Sequence, residues 1–154
     1  MKLYAPSTIE AIKEKHRFQL SKSLGQNFIT DKHVIERIVE GAGPSEKDLV
    51  IEIGPGIGVL TAEAAQQAAK VIAIEIDSKL IPILGETLAE YDNVEVINQD
   101  ILKTDLNKII DEQRQLGNFT GDVKIIGNLP YYITTPIIMH ILENSIQAES
   151  ITVM

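Results

Sequence analysis

A chain of 154 residues is long enough for one domain with a buried core. With 44% apolar and 23% charged residues it has the composition of a soluble globular protein, and no apolar run approaches the ~18 residues that span a bilayer. The absence of cysteine excludes disulfides, thiolate metal sites and a cysteine nucleophile. The N-terminus lacks the apolar stretch of a secretory signal, so a cytoplasmic location is expected, with no membrane partner. The net charge of −8 argues at first sight against nucleic acid. Its distribution changes that. Residues 1–32 hold Lys2, Lys13, Lys15, Arg17, Lys22 and Lys32 against Glu10, Glu14 and Asp31, a net of +3, which leaves −11 for the rest. A basic arm on an acidic body can touch phosphate, but the same charges also suit an ordinary solvated terminal helix.

Ser7-Thr8 can cap a short helix running to Lys15. Residues Leu20 to Phe28 are polar and contain Gly25, which predicts a loop. Asp31 has the character of an N-cap, and Val34, Ile35, Ile38 and Val39 repeat at helical spacing through Glu40, before Gly41-Ala42-Gly43-Pro44 ends the helix. Leu49-Val50-Ile51-Glu52-Ile53 then reads as a first strand, Val59–Ala69 as an alanine-rich helix and Val71–Ile76 as a second strand. Lys79–Tyr91 reads as a helix made irregular by Pro82 and Gly85. Val94–Ile97 is a third strand, Leu106–Leu116 a helix with Ile109 and Ile110 inward, and Val123–Gly127 a fourth strand. Pro136–Leu142 opens another helix, and Ile151–Met154 begins a fifth, central or near-central strand. Strands and helices alternate and several strands are continuously apolar, so the expected fold is α/β, a mostly parallel sheet with helices on both faces. A sheet that stops at a bare central strand is an unusual design, so the chain is expected to be part of a longer protein.

The first strand leads into Gly54-Pro55-Gly56-Ile57-Gly58, where glycine allows close approach of a ligand at the carboxyl ends of parallel strands. Glu75 closes the second strand 21 residues after Gly54, a spacing suited to a carboxylate that accepts from both ribose hydroxyls. A dinucleotide fingerprint fails, because Val59 stands where the third glycine is required. A phosphate-cradling loop fails for lack of Gly-Lys-Ser/Thr. What remains is Glu-x-Gly-x-Gly-x-Gly, the pattern typical of S-adenosylmethionine loops. A tight structural turn is the plain alternative. Asp100, at the end of the third strand, is placed to accept from the cofactor's adenine amine, or else is a simple helix cap. Asn128-Leu129-Pro130-Tyr131 follows the fourth strand and combines a carboxamide, a rigid turn and an aromatic plate. Those parts can hold a flat base bearing an exocyclic amine. The alternative for Tyr131, and more so for Tyr132, is a core aromatic beneath a loop. His16, His33 and His140 fall in helical stretches and call for no catalytic role.

Ser23-Leu24-Gly25-Gln26-Asn27-Phe28, the Gly54 loop, Glu75, Asp100 and Asn128-Leu129-Pro130-Tyr131 occur in that order. In this the chain resembles the rRNA adenine N6-dimethyltransferases, most of all the type acting on 16S rRNA of the small subunit, over nearly all of residues 20–154. The resemblance implies the Rossmann-like class I S-adenosylmethionine-dependent methyltransferase fold, truncated at the fifth strand. Residues 1–30 would form a basic arm and a cofactor-contacting loop, and 31–154 the cofactor-binding domain. Cofactor contacts would come from Gln26, Asn27, Ile29, Gly54, Gly56, Glu75, Ile76, Asp100, Ile101 and Asn128. The catalytic set would be Asn128, Leu129, Pro130 and Tyr131. Asn128 and the Leu129 carbonyl would accept the two N–H bonds of the target amine, Pro130 would fix the turn, and Tyr131 would stack on a flipped adenine. No metal is implied, and a monomer is expected.

Full-length family members continue past this strand, complete the sheet and add a small helical domain that helps to hold rRNA. Residues 1–154 alone are therefore expected to bind cofactor weakly and to methylate poorly. The alternatives are the antibiotic-resistance type acting on 23S rRNA, an rRNA-binding assembly factor without essential catalysis, and a nicotinamide oxidoreductase, which Val59 disfavours. Leu129 and the run from Tyr131 to Pro136 favour the 16S type over the 23S type.

Overall fold

The computed structural model describes residues 5–16, 32–129 and 131–153, with the side chains of Pro6 and of residues 131–133 outside the description. In chain order the elements are α1 (Pro6–His16), α2 (Lys32–Ala42), β1 (Leu49–Ile53), α3 (Val59–Ala65), β2 (Lys70–Glu75), α4 (Ile81–Thr87), β3 (Val94–Asn98), α5 (Leu106–Gln115), β4 (Val123–Gly127), α6 (Tyr131–Glu143) and β5 (Ser150–Val153). Short 3-10 turns at Ser78–Leu80 and Ile101–Lys103 follow β2 and β3.

All strand pairs are parallel, in the order β3-β2-β1-β4-β5. β1 is buried at every residue and β4 at all but Lys124, as expected for central strands covered on both faces. Side chains alternate between two cores. Val50, Val71 and Ile126 point to the face covered by α1, α2, α3 and α4. Leu49, Ile51, Ile72, Ile74, Val123 and Ile125 point to the face covered by α5 and α6. The three-layer α/β expectation therefore holds. α1 belongs to this body: Ile9 and Ile12 are buried in the first core, and Lys15 and His16 reach Glu86 of α4 at 2.6 and 2.7 Å.

Four local expectations need correction. α2 runs two residues beyond Glu40, to Ala42, and ends where Gly43 takes φ +59° and donates its N–H to the Val39 carbonyl. α3 stops at Ala65 rather than Ala69, because Asn93 Nδ2 donates to the Ala65 and Ala68 carbonyls while the Ala69 N–H turns to Asp48 O. The helix expected over Lys79–Tyr91 is a 3-10 turn plus the shorter α4, whose first turn accommodates Pro82. α6 begins at Tyr131, so that Pro136, expected to open the helix, lies inside it. Among the described residues β5 lies at the end of this five-stranded sheet, paired with β4, in keeping with the expected truncation at the fifth strand.

Gly85 lies exposed inside α4 without a positive φ, and a Cβ there would meet nothing within 4 Å. Gly85→Ala should therefore stabilise the fold by about 0.5–1 kcal/mol, read as a raised midpoint in urea unfolding.

Candidate active site

In sequence order the chain moves outward from β1 to β2 and β3, then returns to place β4 on the other side of β1. That reversal makes a crevice at the carboxyl ends of β1 and β4, the place where open parallel sheets receive ligands. Ile53 of β1 and Gly127 of β4 are register partners, so the two following segments leave the sheet side by side. They also touch. A Cβ on Gly127 would lie 3.0 Å from the Ile53 carbonyl oxygen, and one on Gly54 would lie 3.8 Å from Leu129 Cδ2. The buried Leu129 side chain thus packs between the glycine loop and the end of β4. Asn128, just before it, is half-buried.

The loop from Gly54 to Gly58 has left-handed backbone at Gly54, Gly56 and Gly58, with φ of +70°, +60° and +97°. It is held from several directions. Gly54 N–H donates to Ile74 O at 2.9 Å, and Gly58 N–H to Pro55 O at 2.9 Å. Thr87 of α4 donates its hydroxyl to Ile57 O at 2.7 Å. Glu75 Oε1 accepts the Gly56 N–H at 3.2 Å, while its Oε2 accepts the Asp77 N–H at 3.0 Å. Beneath the loop, Glu52 of β1 accepts a hydrogen bond from the Thr61 hydroxyl of α3.

The two carboxylates sit in different surroundings. Burial is the main influence on Glu75 and raises its pKa, opposed by the hydrogen bonds from Asp77 and Gly56. Glu52 is 1% exposed, and burial pushes its carboxyl up to about 8, against the Thr61 hydrogen bond and with added repulsion from Glu75. Glu52 is therefore protonated at neutral pH. A carboxyl whose folded pKa is raised contributes stability that is fully present below the unfolded value and is lost as pH rises through the folded value. Its neutral isostere has no such loss. The stability of Glu52→Gln relative to the parent should thus grow by roughly 1 kcal/mol per pH unit from about pH 5 towards pH 8, measured by urea unfolding at each pH.

On the next strand ends, Asn98 Nδ2 donates to the Glu75 carbonyl at 2.8 Å and fixes β3 against β2. Asp100 Oδ1 caps the 3-10 turn by accepting from Leu102 N–H at 2.9 Å, the role given above as its plain alternative. A cap engages one carboxylate oxygen and is compatible with the other accepting from a ligand amine. Ile76 is 49% and Leu102 39% exposed, two large apolar side chains standing in solvent beside these acids. The Ile101 side chain is buried in the core under α5 and α6, which leaves its backbone as its possible contribution to a site.

The structure thus brings Gly54, Gly56, Glu75, Asn128 and Leu129 to one crevice, with Ile76, Asp100 and Ile101 at the adjacent strand ends. Gln26, Asn27, Ile29 and Pro130 lie outside the described residues, and of Tyr131 only its place in the first turn of α6 is described. Thr61, Thr87 and Leu102 were not anticipated. The one sequence signal for Thr61 was a glutamate inside a continuous apolar strand, which demands a buried partner. Among the described residues no group of His, Asp or Glu is arranged to hold a metal ion, and no helix is long and apolar enough to cross a membrane. A separate cavity of about 330 Å³, lined by Lys103, Thr104, Asn107, His140 and Asn144 among others, contains none of the expected site residues.

A parallel sheet in this order, with a glycine loop after β1, is the class I S-adenosylmethionine-dependent methyltransferase fold. The chain belongs to the ribosomal RNA adenine dimethylase family, which its residues 17–154 match. It is 54% identical over 154 residues to the ribosomal RNA small subunit methyltransferase A of Alkaliphilus metalliredigens, an alignment covering 99% of this chain and 52% of that one. It therefore spans about half the length of the curated relatives it matches. Among solved structures it superposes on the 23S rRNA methyltransferase ErmE with a TM-score of 0.61 at 32% identity, over 81% of this chain and 45% of that one. An RNA methyltransferase from Salinibacter ruber in complex with S-adenosyl-L-homocysteine gives a TM-score of 0.59 at 23% identity, over 75% and 69% of the two chains, a likeness of fold.

The family's cofactor is S-adenosylmethionine. The residues present fit that group. The loop exposes Gly54, a carboxylate stands at the end of β2, and the exposed apolar side chains of Ile76 and Leu102 lie beside two acidic strand ends, a set chemically suited to a ligand with an amino-acid arm, a ribose and an adenine.

Proposed function

We propose that this chain is the cofactor-binding part of an enzyme that dimethylates the N6 amines of two adjacent adenosines near the 3′ end of 16S rRNA during small-subunit assembly. The observation that carries the reading is the meeting of the Gly54 loop with Asn128-Leu129 across β1 and β4. It would put the donor's seat and the target's amine acceptors in one crevice. In this reading Gly54 and Gly56 contact the methionine arm, Glu75 the ribose, and Asp100 the adenine amine between Ile76 and the backbone of Ile101. Gln26, Asn27 and Ile29 approach from the N-terminal segment.

The bound cofactor supplies an electrophilic methyl group. The chain's own residues prepare its acceptor. The amine of adenine is a weak nucleophile because its lone pair is delocalised into the ring. Asn128 Oδ1 and the Leu129 carbonyl accept its two N–H bonds and so favour a pyramidal nitrogen with the lone pair free to attack. Positioning and fixed dipoles carry the rate, and no strong base is required because the methylated nitrogen loses its proton readily. Pro130 holds the turn, and Tyr131 stacks on the base once it leaves the RNA, returning roughly 1–3 kcal/mol of the unstacking cost.

The small-subunit substrate is favoured by the relatives named ribosomal RNA small subunit methyltransferase A. A 23S rRNA substrate is the second reading, supported by the 32% identity to ErmE. Transfer of tritium from S-adenosylmethionine by the full-length protein to undermethylated 30S and 50S particles separates them. The proposal expects label in 30S adenines, and label confined to 50S particles would replace it with the second reading.

A further inference from the structure

The glycine loop has two ends, and one buried pair joins them. Glu52 lies two residues before Gly54 at the end of β1, and Thr61 lies in the first turn of α3, three residues after Gly58. Their side chains are hydrogen-bonded, at 1% and 0% exposure. The carboxyl therefore points away from solvent and away from any ligand in the crevice. The acid that opens the signature Glu-x-Gly-x-Gly-x-Gly thus faces the helix.

We propose that Glu52 is a positioning residue of the cofactor site: with Thr61 it forms a clasp that closes the Gly54–Gly58 loop from beneath, and it does not touch the cofactor. The link to the cofactor rests on the reading of this crevice as an S-adenosylmethionine site. The clasp itself rests on the geometry alone.

The remaining loop anchors explain why the clasp matters. Gly56 hangs on Glu75 of β2 and Ile57 on Thr87 of α4, while the clasp ties β1 directly to α3. A protonated carboxyl can hold Thr61 without bringing charge under the loop. Once ionised, it would place a second buried negative charge near Glu75, the ionisable group that acts on it among the described residues, with Thr61 as its partner from α3. Relief requires the side chain, 1% exposed and bonded to Thr61, to reach water, and the proposal expects the loop that the clasp closes to shift as the proton leaves.

The test has a readout that needs no cofactor. Amide resonances of Gly54, Gly56, Ile57, Gly58 and Thr61 are followed by proton–nitrogen NMR from pH 6.5 to 9.5. They should titrate together with a midpoint near 8 in the parent chain and stay flat in Glu52→Gln. Dissociation constants for S-adenosylhomocysteine, by calorimetry on the same samples, should rise at least 5-fold between pH 7 and 9 in the parent. In Glu52→Gln they should remain within 2-fold. Thr61→Val should shift the loop amides and weaken binding about 10-fold at pH 7 while the strand amides stay in place. Loop amides that do not titrate in the parent overturn the clasp, as does a Glu52→Gln chain that has lost binding at pH 7 with its loop amides unmoved. If the loop titrates as described but the parent binds no S-adenosylhomocysteine at any pH, the clasp stands and the cofactor reading falls.

Discussion

Asn128→Ala in the full-length protein is expected to slow methyl transfer to 30S particles about 10²–10³-fold, the range found when one preorganised dipole is removed from an active site. The side chain follows the last residue of β4 and is half-buried between that strand and the buried Leu129. Alanine deletes the carboxamide oxygen but leaves the backbone path and the Leu129 packing unchanged. The fold should therefore persist, with a cooperative unfolding transition retained. Loss should fall on kcat more than on KM, because the proposed interaction would strengthen as the target nitrogen pyramidalises. Binding to assembling 30S particles should survive, and this separates an enzyme from an assembly factor whose catalysis is incidental. An Asn128→Ala protein with unreduced transfer would remove the residue from the chemistry.

Glu75→Ala should act on both structure and affinity. The carboxylate is 5% exposed and accepts the backbone N–H groups of Gly56 and Asp77 with its two oxygens. Alanine leaves both donors without their partner in a largely buried place, at about 1–3 kcal/mol each. A destabilisation of roughly 2–5 kcal/mol in urea unfolding is expected. S-adenosylhomocysteine affinity should fall at least 100-fold, since the proposed ribose acceptor and the Gly56 anchor go together. Glu75→Gln keeps one acceptor oxygen and should lie between. Because burial raises the Glu75 pKa, acidification should weaken cofactor binding in the parent from above the usual glutamate range, as the carboxylate is lost. Unchanged affinity in Glu75→Ala would exclude it from the site.

The parts of this molecule that were legible in the sequence are those governed by burial on two faces. Leu49–Ile53 and Val123–Gly127 read as strands because a parallel sheet covered by helices needs continuous apolar runs. The placement of Glu75 could be read from its spacing to the glycine loop. Helix ends were less legible because side chains distant in sequence decide them. Asn93 ends α3, and no local pattern at Ala65 announces it. Pro136 reads as a helix start, yet α6 begins five residues earlier and carries the proline inside, without the N–H that would bond the carbonyl of residue 132. The order of the strands was not legible, because it depends on which way each crossover turns, which periodicity does not encode. The clasp and the Thr87 anchor were missed because a single hydroxyl has no period. Glu52 within an apolar strand was the one visible trace of it.

The central claim is that the crevice between β1 and β4 holds the methyl donor beside Asn128. Mapping S-adenosylhomocysteine on the chain by amide chemical-shift perturbation tests it most directly. The account predicts that the largest shifts fall on Gly54, Gly56, Glu75, Ile76, Asp100, Ile101 and Asn128, and that NADH moves none of them. Shifts clustered instead around Thr104, His140 and Asn144, or an equal response to NADH, would contradict it.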